Sequence, residues 1–240
     1  MLNTTSFSVP AASLDYWQQR LQRFGIAFEG PKERLNSETV IYFTDPDGLG
    51  LELVFTDHDT RKGFTYGHIP LEYSIRGFYN VEIWEDDFER TAALLTEKMD
   101  HKLIAQQGNR YRYAASNTAG NYVDLLQASD KVRGLPGSGT VHHIAFNTPD
   151  AASQLEVRKR IAQSYLNPTP VLDRNYFTSI YFREPGGVLF EVATAGPGFT
   201  VDESLETLGT NLKLPAQYEP NRKTIENVIR PVTLNYNNYK

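Results

Sequence analysis

The chain has 240 residues, 40% hydrophobic, 12% aromatic and 22% charged, with a formal net charge of −5 and no basic block. That is the composition of an ordinary globular protein, and it argues against nucleic acid and anionic membrane as partners. With no cysteine, disulfides, thiolate nucleophiles and Cys-based zinc sites are excluded.

The opening stretch, MLNTTSFSVPAASLDYWQQRLQRFG, lacks a cationic segment leading into an apolar one, and no apolar run approaches bilayer length, so a cytoplasmic protein is expected. TTSFSVP alternates as a strand does. SLDYWQQRLQRFG then sets Leu14, Trp17, Leu21 and Phe24 on one helical face, and Gly25 stops the helix. Residues 40 to 54, VIYFTDPDGLGLELV, read as two strands joined at Pro46–Gly48, the second carrying Glu52.

This order returns twice. GFYNVEIW, the helical FERTAALLTEKMD and YAASNTAGNYVDLLQ, with Asp124 inside the last strand, form a second copy. TVHHIAFN, AASQLEVRKRIAQSY and SIYFREPGGVLFEVA form a third, in which Pro185 to Glu191 matches Pro46 to Glu52. The prediction is three β-α-β-β-β modules at 1–57, 74–130 and 138–196. Linkers DHDTRKGFTYGHIP and KVRGLPGSG separate them, and a wrapping tail, 197–240, carries one helix at Glu203 to Leu208. The fold class is α+β, with tandem modules forming curled, half-barrel mixed sheets. A small module cannot bury both faces of its sheet alone, so modules should pair.

Strand alternation places His143 with Ala145 on one face, and Glu191 with Leu189 and Ala193 on one face. If the outer strands of the third module adjoin, an imidazole and a carboxylate converge there as part of a metal site. The alternative is a satisfied core histidine and a strand-edge acid, and spacing alone does not choose. Glu52 and Asp124 repeat the Glu191 position without partnering histidines and read as locally paired remnants of duplication. His58 and His68 read as solvated loop residues and His101 as exposed. Arg174 is either an anchor for an anionic substrate or product, or one half of a surface ion pair.

The chain resembles the vicinal-oxygen-chelate superfamily of glyoxalase I, bleomycin-resistance proteins and extradiol dioxygenases. The resemblance rests on Ile180-Tyr181-x-x-Glu184-Pro185-x-Gly187-x-x-x-Glu191 and on VHHIAF. GTVHHIAF, DRNYFTSIYFREPGG and ETLGTNLKLPAQYEPNR together are similar to the ring-cleaving dioxygenases of the hydroquinone-resistance type.

The resemblance implies an extradiol-type dioxygenase acting on a hydroquinone or catechol with O₂. Its Fe(II), or Mn(II), would be bound by His143 and Glu191, and Tyr181 would donate to a substrate oxygen. It also implies four modules, the first supplying a further histidine ligand. Here the first unit looks like the family's second, with Ser6 at the ligand position and Asn80 at that of the next unit. Where the signature expects a histidine before Ile180, this chain has Leu172, Asp173 and Arg174. Two other readings follow: a glyoxalase-like lyase or isomerase whose Zn or Ni site is shared in a homo-oligomer, and a metal-free binding protein or inactive truncated homologue.

Overall fold

The computed structural model describes residues 1–64, 67–128 and 137–230. Most of the second predicted linker (131–136), Thr65 and Tyr66 of the first, and the end of the tail (231–240) lie outside the described residues. The order β-α-β-β-β appears three times. The first run is β1 (Leu2–Val9), α1 (Leu14–Arg23), β2 (Phe28–Arg34), β3 (Glu38–Thr44) and β4 (Gly50–Phe55). The second is β5 (Gly77–Glu85), α2 (Glu89–Lys98), β6 (Lys102–Gln107), β7 (Arg110–Ala114) and β8 (Tyr122–Gln127). The third is β9 (Ile144–Thr148), α3 (Ala151–Ala162), β10 (Leu172–Asp173), β11 (Thr178–Arg183) and β12 (Leu189–Thr194). A short α4 (Arg222–Val228) follows.

The chain divides into two compact units: residues 1–144 with 183–189, and residues 145–182 with 190–240. In the first, β1 to β8 form one mixed sheet, curled as a half-barrel, in the order β2-β3-β4-β1-β5-β8-β7-β6. The seam is the antiparallel pair β1–β5, while each of these strands pairs in parallel with the last strand of its own run, β4 and β8. Val9, Trp17, Leu21, Ile41, Leu53 and Phe55 pack between α1 and the sheet. Burial of such side chains is the main force holding the layers together, each contributing about 1.5–3 kcal/mol.

Phe24 departs from the expected buried face. It lies just past the end of α1, 38% exposed, beneath the Arg20 and Arg23 guanidiniums. Gly25 takes φ +66°, the left-handed turn expected there.

In the second unit the strands run β10-β11-β12-β9. Asp150 caps α3, its Oδ1 accepting from the Ser153 amide at 2.8 Å. Gln154, fully buried on α3, donates from Nε2 to the carbonyls of Thr178 and Val192, both at 2.8 Å, and so pins the helix to β11 and β12. The predicted helix at Glu203 to Leu208 is a series of turns instead. The Glu203 carboxylate accepts from the Gly209 amide and from Asn211 Nδ2, both at 2.9 Å, closing a loop that a helix would open.

The repeated Pro-Gly turns use the same chemistry. In one, Asp45 Oδ1 accepts from the amides of Asp47 and Leu49, and Gly48 takes φ +90°. In the other, Glu184 accepts from the amides of Gly186 and Val188, and Gly187 takes φ +94°. An acid before the proline satisfies the turn's orphan amides, and the glycine supplies the positive φ.

Candidate functional site

Glu191 lies on β12 and is 3% exposed. A carboxylate so removed from water needs compensating donors. Two are hydroxyls from β11, both aimed at Oε1: Ser179 Oγ, in a very short hydrogen bond, and Tyr181 Oη at 2.9 Å. Ser179 and Tyr181 are two residues apart and therefore share a strand face. Tyr181 is held in place by Thr169, whose Oγ1 accepts from the Tyr181 amide at 3.0 Å and whose own amide donates to the Tyr181 carbonyl at 2.9 Å. The Arg174 guanidinium stacks over the Tyr181 ring, 5.3 Å from its centre. Arg174, Tyr181 and Glu191 thus form one connected set, in which Ser179 had not been singled out from sequence. Alternation back from Tyr181 was the signal that could have found it.

His143 immediately precedes β9, the strand that neighbours β12. The predicted strand over 140–146 starts only at Ile144. His142 and His143 place their Nδ1 atoms 2.9 Å apart, which consecutive side chains of a regular strand, pointing to opposite faces, do not do. His143 is half-buried and His142 exposed. His58 and His68 are exposed, as anticipated for loop residues. His101 is not: it is 7% exposed, its Nδ1 lies 2.6 Å from the Met99 carbonyl, and burial lowers its pKa. Among the described residues, no group of three or more His, Asp or Glu side chains has the geometry to hold a metal ion.

The acids of the first two runs occupy a different environment. Ser6 and Glu52 are partners in the β1–β4 register, and Ser6 Oγ donates to Glu52 Oε2 at 2.8 Å. Asn80 Nδ2 likewise donates to Asp124 Oδ2 at 3.2 Å. The positive charge facing these acids is guanidinium. Arg34 donates from Nε to Glu38 at 2.7 Å and from its other nitrogens to Glu52 and Asn80. Arg112 forks onto Asp124 at 2.7 and 2.9 Å and reaches Glu38, while Arg110 binds Asp124 and Glu82.

Burial disfavours the charges of Glu38 and Asp124, yet the guanidiniums outweigh it and hold both below the ordinary carboxylate range. For Glu52 burial wins over Arg34 and Ser6, and its pKa is raised.

A second acidic pair lies at the end of β5. Glu184, 2% exposed, accepts from Thr91 Oγ1 at 2.5 Å in addition to its two turn amides. Glu85, 5% exposed, has no hydrogen-bond partner at either oxygen among the described residues and lines a cavity of about 350 Å³ with Asp86, Asp87, Arg90 and Gly186. Burial, and then the Glu184 charge, push Glu85 up to about 8.

No helix among the described residues is long and apolar enough to cross a membrane. Residues 77–192 match the profile of the glyoxalase/bleomycin resistance protein/dioxygenase superfamily. Over 230 residues the chain is 38% identical to MhqO of Bacillus subtilis (strain 168), provisionally named a ring-cleaving dioxygenase, covering 96% of this chain and 73% of that one. It is 31% identical over 224 residues to a chlorohydroquinone/hydroquinone 1,2-dioxygenase of Sphingobium indicum, covering 91% and 69%. A crystal structure from Bacillus subtilis, provisionally titled a dioxygenase, superposes with a TM-score of 0.91 at 38% identity, covering 97% of this chain and 74% of that one. The chain belongs to the glyoxalase/bleomycin resistance protein/dioxygenase superfamily.

Proposed function

We propose that this chain is a ring-cleaving dioxygenase acting on a hydroquinone or catechol with O₂, around a divalent metal, Fe(II) or Mn(II), held by His143 and Glu191. The relatives' names support the reaction class. One observation carries the site. In the first run Ser6, which the sequence match sets at the His143 position, stands opposite the acid at the Glu191 position and donates to it; in the second, Asn80 reaches Asp124 from two residues off that register. The third run carries an imidazole, His143, at the matching place in the sequence, just before β9, the strand that neighbours β12.

An imidazole and a carboxylate are two donors of the facial triad used by non-haem Fe(II) oxygenases. In this proposal the chain is a homo-oligomer, an arrangement in which a second copy can supply the completing donor. When bound, the metal would act as a Lewis acid toward a phenolic oxygen and as a conduit for electrons between ring and O₂.

The chain's own residues position the substrate. Tyr181 directs its one phenolic hydrogen to Glu191 Oε1, so its oxygen meets a substrate hydroxyl as an acceptor; to donate toward a developing oxyanion it must first release that bond. Arg174, stacked on the Tyr181 ring, supplies a positive charge for the anion produced on ring opening. Residues 1–57, 74–130 and 138–196 act as three modules, with 197–240 as a tail.

The test is O₂ consumption with hydroquinone and catechol after anaerobic loading with Fe(II). Ring-opened product from the wild type and its loss in His143→Ala and Glu191→Ala are expected. Loaded protein that turns over neither diol would overturn the reading.

A further inference from the structure

We propose that the Glu85 and Glu184 carboxyl groups share one buried proton, and that this proton latches the turn at 184–188 onto the end of β5 and the start of α2. The turn, β5 and α2 all belong to the first compact unit. Glu184 and Glu85 are both buried, so bulk water serves neither. An ionised carboxylate offers about four lone-pair sites. On Glu184 the Val188 amide takes one at Oε1, and the Gly186 amide and Thr91 Oγ1 take Oε2. Room for a further donor remains at Oε1. Glu85 lies within hydrogen-bonding reach of Glu184 and of Thr91, but the single hydroxyl hydrogen of Thr91 is directed at Glu184. Among the described residues no donor reaches either Glu85 oxygen. A hydrogen carried by Glu85 and given to Glu184 satisfies both acids at once.

The charged groups facing Glu85 keep that hydrogen in place. Glu184 comes from the turn, Asp86 and Asp87 from the connection between β5 and α2, Arg90 from α2, and the Met1 ammonium donates to the Trp84 carbonyl at 2.7 Å. Burial first, and the Glu184 charge second, push Glu85 up to about 8. When the proton leaves for solvent, two anions are buried side by side, and Glu85 has a cavity of about 350 Å³ to turn into. Gly186 lies against it, with the place of a β-carbon 2.6 Å from Glu85 Cδ, so a move by Glu85 removes the packing behind the turn. In the open turn Glu85 ionises at its ordinary value of 4.5, and in the closed turn at about 8. Opening therefore becomes about tenfold easier per pH unit between those values and levels off above them.

The test is amide hydrogen exchange of the full chain from pH 5 to pH 8, corrected for the intrinsic pH dependence of exchange, in wild type and Glu85→Gln. The infrared carbonyl band of protonated carboxyl groups is recorded for both at pH 7. In wild type, protection of the Gly186 and Val188 amides should fall about tenfold per pH unit and stay below that of Leu53, a core residue of β4. Glu85→Gln keeps a donor for Glu184 and has no proton to lose, so protection there should be flat with pH and the carboxyl band should shrink. An unchanged pH dependence in Glu85→Gln, turn amides as protected as Leu53, or an unchanged infrared band would each overturn the proposal.

Discussion

Ser6 and Glu52 stand opposite each other on β1 and β4 and share a 2.8 Å hydrogen bond at the positions that His143 and Glu191 hold in the third run. The pairing of first and last strand thus outlives the chemistry placed on it. In the eight-stranded sheet the acids answer to arginines, and the Arg34–Glu38–Arg112–Asp124 set fills the space between the two runs.

Arg112 carries the most weight in that set, because Asp124 is completely buried and Glu38 nearly so. Arg112→Ala takes from Asp124 its main counter-charge and leaves Glu38 with Arg34 alone of its two guanidiniums. Removing one partner of a buried ion pair costs about 3–5 kcal/mol, and urea unfolding of the variant should show a loss of that size. A loss below about 1 kcal/mol would mean that water relieves both acids.

Acid sensitivity follows from the same groups. Glu38 and Asp124 have folded-state pKa values below the ordinary range. The stability they contribute is fully present above the unfolded carboxylate value of about 4 and is lost as pH falls through the depressed folded values. Unfolding followed from pH 6 to pH 2 should show this decline, and it should be shallower in Asp124→Asn, whose stability at pH 6 is already lower.

Glu85 acts in the opposite sense. Its folded pKa of about 8 exceeds the unfolded value, so the folded state holds a proton that the unfolded state releases, and stability falls as pH rises from about 4.5 to about 8. Glu85→Gln removes the charge and should raise the melting temperature at pH 8 by roughly 3–8 °C, with the gain shrinking toward pH 5. An equal gain at both pH values would show that ionisation of Glu85 is not the cause.

Gly186 makes room for that acid. A β-carbon there would fall 2.6 Å from Glu85 Cδ, so Gly186→Ala should cost about 1–3 kcal/mol. Shortening the neighbour in Gly186→Ala/Glu85→Ala should recover much of the loss. The double-mutant cycle measures that coupling directly.

The three-fold β-α-β-β-β order was legible because each run repeats the same strand alternation, helical stripe and Pro-Gly turn, down to the match of Pro46–Glu52 with Pro185–Glu191. Glu191 was conspicuous as an acid within an apolar strand. What answers it was less so. Ser179 is a small polar residue of no special pattern, Arg112 stands opposite Asp124 on the adjacent strand of its own run, and Arg34 reaches Glu52 from two strands away, while the pairing of Arg112 with Glu38 joins residues 74 apart in sequence. The start of β9 was misplaced because alternation in TVHHIAF does not reveal that two adjacent histidines hydrogen-bond each other. His101 looked solvent-facing because it follows a helix, but its ring folds back onto the Met99 carbonyl.

In the proposed function the acid of the third run, and not its counterparts, binds the metal. Anaerobic reconstitution with Fe(II), followed by elemental analysis of wild type, Glu191→Gln and Glu52→Gln, separates the two cases. Metal retained by wild type and by Glu52→Gln, and lost from Glu191→Gln, is the predicted result. Metal that stays in Glu191→Gln, or fails to bind the wild type, would contradict it.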